Sequence, residues 1–165
     1  MIVEGNGITH QPVGIQGLGG WLVLIQIHLY LALLEFMVYW VQTPVLETID
    51  LWSFIPSKGS ADYEPFLKPM LIFEPTANLL MFLFSAFILF QFYRKKSVLP
   101  RLMIAFYCLS LTVVVLDFFL VLQIPSLVES LGGDLIKTMV RSTAACAIWI
   151  PYFLKSVRVK NTFVR

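Results

Sequence analysis

Charged residues are scarce in this chain of 165 residues: they make up 13% of it, whereas hydrophobic residues make up 58%. A soluble domain of ordinary composition carries about 25% charged residues. The mean hydropathy is +0.81, so a folded chain would expose too little polar surface to stay in water. The composition therefore excludes an ordinary soluble domain and indicates that the solvent of this chain is lipid.

Cysteine is scarce as well, and catalytic sequence motifs are missing. The two cysteines, Cys108 and Cys146, both fall in apolar segments, so we interpret them as small packing residues and not as a disulfide or a metal site. The sequence contains no metal-ligand spacing, phosphate-binding loop or nucleophile motif. We therefore expect no enzymatic activity, no cofactor, no metal and no nucleic-acid partner.

Basic residues are absent from the first 17 positions. A secretory signal needs a basic start followed by a short apolar segment. Here the start is polar and rich in glycine, and the apolar run that follows is long. We therefore expect that this segment is not cleaved.

Four apolar runs dominate what the sequence does contain, at about residues 18–40, 71–93, 102–124 and 135–154. Each has about 20 residues, the length that an α-helix needs to cross about 30 Å of hydrocarbon. In lipid the backbone must satisfy its own hydrogen bonds, which favours helices. We predict an all-α fold, an integral membrane four-helix bundle, formed by one domain over residues 1–165. The segment from Pro125 through Gly132-Gly133 is interpreted as the loop before the fourth helix.

The basic residues orient this bundle. They concentrate in the connection 94–101 and in the tail, which hold Arg94, Lys95, Lys96, Arg101, Lys155, Arg158, Lys160 and Arg165. Basic loops stay in the cytoplasm. Four crossings with a cytoplasmic tail also require a cytoplasmic amino terminus, so we predict a multi-pass protein of a bacterial inner (plasma) membrane with both termini inside.

The longest connection, residues 41–69, is predicted to lie outside the cell. It mixes apolar residues with Glu47 and Asp50. A short amphipathic helix on the outer membrane surface fits this pattern, and so does an irregular loop anchored by aromatic side chains.

Four ionisable residues fall within the apolar runs: Glu35, Glu74, Asp117 and Arg141. Such residues are costly in hydrocarbon and are usually paired or functional. At about 1.5 Å of rise per residue, the predicted topology brings all four to a similar level, within about 10 Å of the outer edge. We call these four residues the charged layer, and three interpretations are open. The layer is a structural staple, in which ion pairs fix how the helices pack; or a functional site, which responds to protons or cations or forms a polar pocket open to the outer face; or a set of residues that reach the headgroups.

Helical spacing adds two accessory polar residues and one small-residue face. His28 lies seven positions before Glu35, and Asn78 lies four after Glu74, so each pair shares a face. A single membrane histidine is more often a packing residue than a proton relay. On the fourth helix a small, polar face suited to close packing consists of Thr138, Arg141, Ser142, Ala145 and Cys146.

Short stretches at three places in the chain resemble a known family. They are Gly19-Gly20-Trp21-Leu22, the inner loop from Tyr93-Arg-Lys-Lys-Ser97 to Pro100-Arg-Leu-Met-Ile104, and the closing segment Ile148-Trp-Ile-Pro-Tyr-Phe153 with Ser156-Val-Arg-Val-Lys-Asn-Thr-Phe163. The chain resembles, over nearly its whole length, the bacterial four-helix membrane proteins of the family DUF2569. The resemblance implies the fold, the topology and an inner-membrane location, and it implies no substrate.

Two function classes remain open. The first is a non-enzymatic accessory or scaffold subunit that binds another membrane protein or itself, supported by the missing catalytic motifs and the small-residue face. The second is a small oligomeric transporter or channel that uses the charged layer. The lipid bilayer is a partner in both. The tail after residue 155 is expected to dock either on the 94–101 loop or on a partner.

Overall fold

The structure is a computed structural model that describes residues 19–42 and 64–163. Helices hold 89% of the described residues, and no strand occurs among them. In chain order the helices are α1 (Trp21–Gln42), α2 (Leu67–Tyr93), α3 (Leu99–Leu122), α4 (Pro125–Lys155) and α5 (Val157–Thr162). The all-α prediction is confirmed. The predictions for the first 18 residues and for residues 43–63 of the long connection lie outside the described part.

Three of these helices, α1, α2 and α3, are long and apolar enough to cross a membrane, which indicates a membrane protein. The fourth long helix is less apolar. Lys137 and Arg141 interrupt its apolar run, and small or hydroxyl-bearing residues fill much of the rest. Length alone would allow α4 to cross as well, because 31 residues exceed the roughly 20 that a crossing needs.

The start of α4 differs most from the sequence-based prediction. Gly133 was expected at the end of a loop, but the helix already begins at Pro125. Proline suits the first helical turn because an N–H there would have no partner within the helix. Leu127 and Leu135, on either side of the glycine pair, pack against a small core cluster at that end. The helix therefore continues through the glycines, and α3 and α4 form an antiparallel hairpin, the most extensive helix pairing in the described structure.

Prolines also explain why α2 and α3 begin earlier than residues 71 and 102. Pro69 and Pro100 lie in the first turns of these helices, where proline is tolerated. Two further prolines, Pro75 in α2 and Pro151 in α4, lie inside helices. Each leaves the carbonyl four residues earlier without its usual N–H donor.

The main hydrophobic core lies at one end of the helices, which we call the basic end because it holds the cations that follow α2 and α4. All five helices or their immediate ends contribute buried residues to this core: Leu22, Ile25, Leu29, Ile88, Phe92, Leu99, Met103, Phe106, Tyr107, Phe153, Val159 and Phe163. The buried residues of α1 all lie in its first half. The second half of α1, toward what we call the far end, buries no side chain among the described residues.

The tail folds back onto the basic end of its own chain. The Ser156 side chain caps α5 by accepting a hydrogen bond from the Val159 backbone N–H, with 3.4 Å between the heavy atoms. Val159 and Thr162 are buried. The Phe163 ring packs beside the Phe92 ring, with 5.5 Å between their centroids. This part of the tail therefore docks on its own helices.

Arg158 joins the tail to the start of α1. Its Nη1 donates a hydrogen bond to the Gly19 carbonyl at 2.5 Å, across 139 residues of sequence. Gly20 has φ +64°, in the left-handed region, and a Cβ at this position would collide with the Arg158 guanidinium. The glycine pair and the tail arginine, which belong to separate stretches of the family resemblance, thus form one contact.

We expect Gly20→Ala to lower the free energy of unfolding by about 1–2 kcal/mol, because a residue with a Cβ is disfavoured in the left-handed region. The new Cβ would also displace Arg158 from the Gly19 carbonyl. The matched control is Gly19→Ala, whose Cβ would make an ordinary contact of 3.8 Å with Arg158 Nη1. Tryptophan fluorescence during thermal unfolding in mild detergent measures both variants. An equal fall in Tm for the two would contradict this account of the contact.

Candidate functional site

A cavity of about 520 Å³ lies between α1, α2, α3 and α4. We call it the central cavity. Its volume falls within the range of small-molecule sites, about 300–1,000 Å³. Apolar and polar side chains both line it, and the polar ones are His28, Glu35, Asn78, Ser85, Tyr107, Ser110, Thr138, Arg141 and Ser142. The cavity thus brings together Glu35 and Arg141 with both of the predicted accessory residues.

Glu35 of α1 and Arg141 of α4 are the charged residues among the described lining. Both side chains are exposed, so the cavity is open to its surroundings. No ion pair joins them, whereas Lys137 and Asp134 on the surface of α4 form one, with 2.9 Å between Nζ and Oδ1. One carboxylate and one guanidinium therefore line the same cavity without pairing with each other.

Aromatic rings close the central cavity toward the basic end. The His28 ring stacks on the Tyr107 ring with 5.7 Å between centroids, and Tyr107 stacks on Trp149 at 6.5 Å. Trp149 in turn meets Trp21 edge-on at 6.1 Å. The Tyr107 hydroxyl is buried and has no hydrogen-bond partner among the described residues. Because an unsatisfied buried hydroxyl is costly, this group favours a polar ligand or water beside it.

The helices around the central cavity pair unequally with one another. Near the cavity, α1 packs against α2, where the Phe36 and Phe82 rings stack with 4.1 Å between centroids. In contrast, α1 makes no extensive pairing with α4. Their ring contacts lie at the basic end, where Trp21 meets Trp149 and Tyr152. The central cavity lies beyond these ring contacts, with Glu35 on the α1 side and Arg141 on the α4 side.

Glu74 and Asp117 do not line the central cavity. Both are half-buried. They lie near each other and near the Tyr39 phenol. The Asp117 Oδ1 atom is buried and accepts no hydrogen bond from the described residues. We call Glu74 and Asp117 the acidic pair.

The offset between Arg141 and Asp117 along the helices follows from one contact between α3 and α4. The Cys146 thiol donates a hydrogen bond of 3.2 Å to the Tyr107 carbonyl, which places these two residues of α4 and α3 at one level. At about 1.5 Å of rise per residue, Arg141 lies about 7.5 Å and Asp117 about 15 Å from that level toward the far end. Asp117 thus lies about 7.5 Å farther toward the far end than Arg141, and the prediction that all four charged residues share one level stays a prediction.

The predicted small, polar face of α4 is used within the chain. Thr138, Ser142 and Ala145 line the central cavity, and the Cys146 thiol contacts the Tyr107 carbonyl. Both cysteines are free thiols. In addition, the described residues contain no group of three metal-ligating side chains.

Tyr107 is the cavity residue that sequence reasoning misses. It lies three positions before Ser110, so helical spacing places the two on one face of α3. That spacing was the available signal. A tyrosine in an apolar run is easily interpreted as an ordinary packing residue, because its ring is mostly hydrophobic.

The fold and the cavity define an all-helical membrane protein with a polar site among its helices. The family model described as "Protein of unknown function (DUF2569)" matches residues 15–164, and the chain belongs to this family. The matched range includes the cavity, the acidic pair and the contact between Gly19 and Arg158. No curated protein and no solved structure matches the chain significantly.

The cavity can be tested by thiol accessibility in a chain whose two native cysteines are replaced by alanine. Ser142 lines the central cavity, while its neighbour Thr143 does not and is exposed on another side of α4. We expect a polar thiol reagent to label Ser142→Cys in proteoliposomes at least about tenfold faster than Thr143→Cys, because thiolates form where water enters and not where lipid contacts the helix. Labelling rates followed by mass shift measure this. Equal rates would show that the cavity is not an aqueous space.

Proposed function

We propose that the protein is a non-enzymatic inner-membrane protein that binds a small zwitterionic solute in the central cavity, as part of a small oligomeric transporter or channel. One observation carries this proposal: Glu35 and Arg141 line one open cavity from two helices without forming an ion pair. A guanidinium recognises a carboxylate through parallel hydrogen bonds. A carboxylate recognises an ammonium group, so the two together fit a ligand that carries both charges.

The proposed topology has four crossings, α1 to α4, with both termini and the basic end in the cytoplasm. Two features support α4 as the fourth crossing despite its lower hydropathy. Arg141 lines the cavity, and charges within a membrane usually face a cavity or the bundle interior. The side chains of Ile136, Val140 and Ile148 are exposed, which provides an apolar surface for lipid contact.

Amino acids are the simplest zwitterions, and they serve as the probe. We expect at least one of glycine, serine and glutamate to raise the Tm of the purified protein, because a ligand that binds only the folded state stabilises it by about 2.7 kcal/mol at 100 times its Kd. Arg141→Gln should abolish this shift. Lys137→Gln is the matched control, since Lys137 lies one turn away and does not line the cavity.

The ligand-free Tm of an Arg141→Met variant separates this proposal from a structural staple. If Arg141 neutralised a buried carboxylate, its removal would cost about 3–5 kcal/mol. We expect a much smaller loss, because Arg141 has no ion-pair partner among the described residues. A large loss of stability, or a Tm unmoved by all three amino acids, would contradict the proposal.

A second candidate function, an accessory or scaffold role, is supported by the second half of α1, which packs on α2 but has no fully buried side chain among the described residues. This half makes no extensive pairing with α4 among the described residues. A helix of a partner protein or of a second copy would fit there. The small-residue face of α4 no longer favours such a role, because it is engaged inside the chain.

Site-specific photo-crosslinking in cells tests the accessory role. Leu34 on α1 and Leu80 on α2 are matched in exposure, at 56% and 59%. If a partner helix covers the second half of α1, a crosslinking residue at position 34 gives a protein adduct of defined mass, and one at position 80 gives only lipid adducts. Lipid adducts at both positions would argue against the accessory role.

A further inference from the structure

The short connection between α2 and α3 forms a second concavity, separate from the central cavity. Its volume is about 350 Å³, and its lining consists of Tyr93, Arg94, Lys95 and Lys96. None of these residues lines the central cavity. We call this concavity the basic pocket. It holds three consecutive cations and no acidic residue among the described lining.

The end of α2 brings these consecutive side chains to one surface. The Lys96 N–H donates to the Gln91 carbonyl at 3.3 Å, and the Lys95 N–H donates to the Phe92 carbonyl at 3.1 Å. This pair of bonds is a Schellman motif. Lys95 has φ 51° and so occupies the left-handed position where glycine is usual, because a Cβ is unfavourable there.

Lysine at this position brings no packing benefit, since its side chain is exposed. What it adds over glycine is a positive charge on a flexible stem. Backbone strain that is not offset by packing is found preferentially at ligand-binding sites. The strained lysine and the concave surface are two independent features of the same few residues.

Contacts within the chain hold the walls of the basic pocket. The Tyr93 hydroxyl is hydrogen-bonded to the Tyr30 hydroxyl at 2.9 Å, which ties the pocket to α1. The Arg94 guanidinium carbon lies 5.1 Å from the centroid of the Phe90 ring. No carboxylate among the described residues forms an ion pair with Arg94, Lys95 or Lys96, so their mutual repulsion favours a bound anion.

We propose that the basic pocket binds an anionic phosphate group, supplied either by an acidic phospholipid headgroup or by a soluble phosphate compound. The N–H groups of Arg94, Lys95 and Lys96 already donate to helix carbonyls, so the side chains are the donors. Arginine and lysine are the usual phosphate ligands, and basic pockets on the cytoplasmic side of membrane proteins bind acidic headgroups. This site does not depend on what occupies the central cavity.

Native mass spectrometry of the full chain measures the affinity for phosphatidylglycerol, with phosphatidylcholine as the reference lipid. We expect the double variant Lys95→Gly/Lys96→Gln to bind phosphatidylglycerol at least about tenfold more weakly. Its Tm without lipid should be equal to or above that of the unmodified chain, because glycine suits the left-handed position. Lys96→Gln alone, expected to lose part of the affinity, serves if the double variant unfolds.

The matched control is Lys155→Gln/Lys160→Gln, which removes the same charge from the basic end at two exposed residues outside the pocket. We expect its phosphatidylglycerol affinity to stay within about twofold of the unmodified chain, because neither lysine lines the pocket. An equal loss in both double variants would overturn the proposal, since diffuse charge would then explain the binding. Equal affinity of the unmodified chain for the two lipids would exclude the headgroup as the source, and it would overturn the proposal if inorganic phosphate does not bind either.

A titration with inorganic phosphate in lipid-free detergent separates the two sources. Saturable binding of phosphate that is lost in Lys95→Gly/Lys96→Gln supports the pocket with a soluble phosphate as ligand. If inorganic phosphate does not bind, but phosphatidylglycerol binds and Lys95→Gly/Lys96→Gln weakens that binding, the result supports the pocket with the lipid headgroup as ligand.

Discussion

The packing at the basic end is the constraint on which the rest of this structure depends. The buried side chains of α1 lie near its start, and the tail is held there by the hydrogen bond from Arg158 to the Gly19 carbonyl. Because α1 is fixed at this end and packs little against α4 beyond it, the central cavity has room among the four long helices beyond this core. The position of the central cavity is therefore a consequence of where the core is concentrated.

The division of the ionisable residues follows from the same packing. Glu35 and Arg141 face the open cavity, where water or a ligand can solvate their charges. Glu74 and Asp117 lie half-buried beside Tyr39, closer to the far end. Charge interactions are stronger in an apolar environment than in water. The energy of each ionised group therefore depends strongly on the groups next to it. The cavity pair is suited to bind a ligand of mixed charge, whereas the acidic pair alone would attract cations.

Sequence reasoning predicted which segments form helices better than it predicted where each helix begins or which helices pack together. Apolar runs of crossing length identified the long helices, because hydrocarbon leaves the backbone no alternative. The start of α4 was wrong, since a proline in a first turn and packing by Leu127 and Leu135 override the tendency of glycine to break a helix. Helical spacing correctly placed His28 on the same face as Glu35. It could not show that Glu35 lines the central cavity while Glu74 does not, because the depth of a residue along its helix does not tell which neighbouring helix its side chain faces.

By itself the sequence determined the class of protein: an all-α chain with helices long and apolar enough to cross a membrane, which carry Glu35, Glu74 and Asp117, and which belongs to the family DUF2569. These properties follow from composition, run length and local motifs, which do not depend on how the helices pack. Only the tertiary structure decided that Arg141 shares a cavity with Glu35, and that the tail arginine reaches Gly19. Such pairings join residues far apart in the chain, so they depend on which helices meet and at what depth.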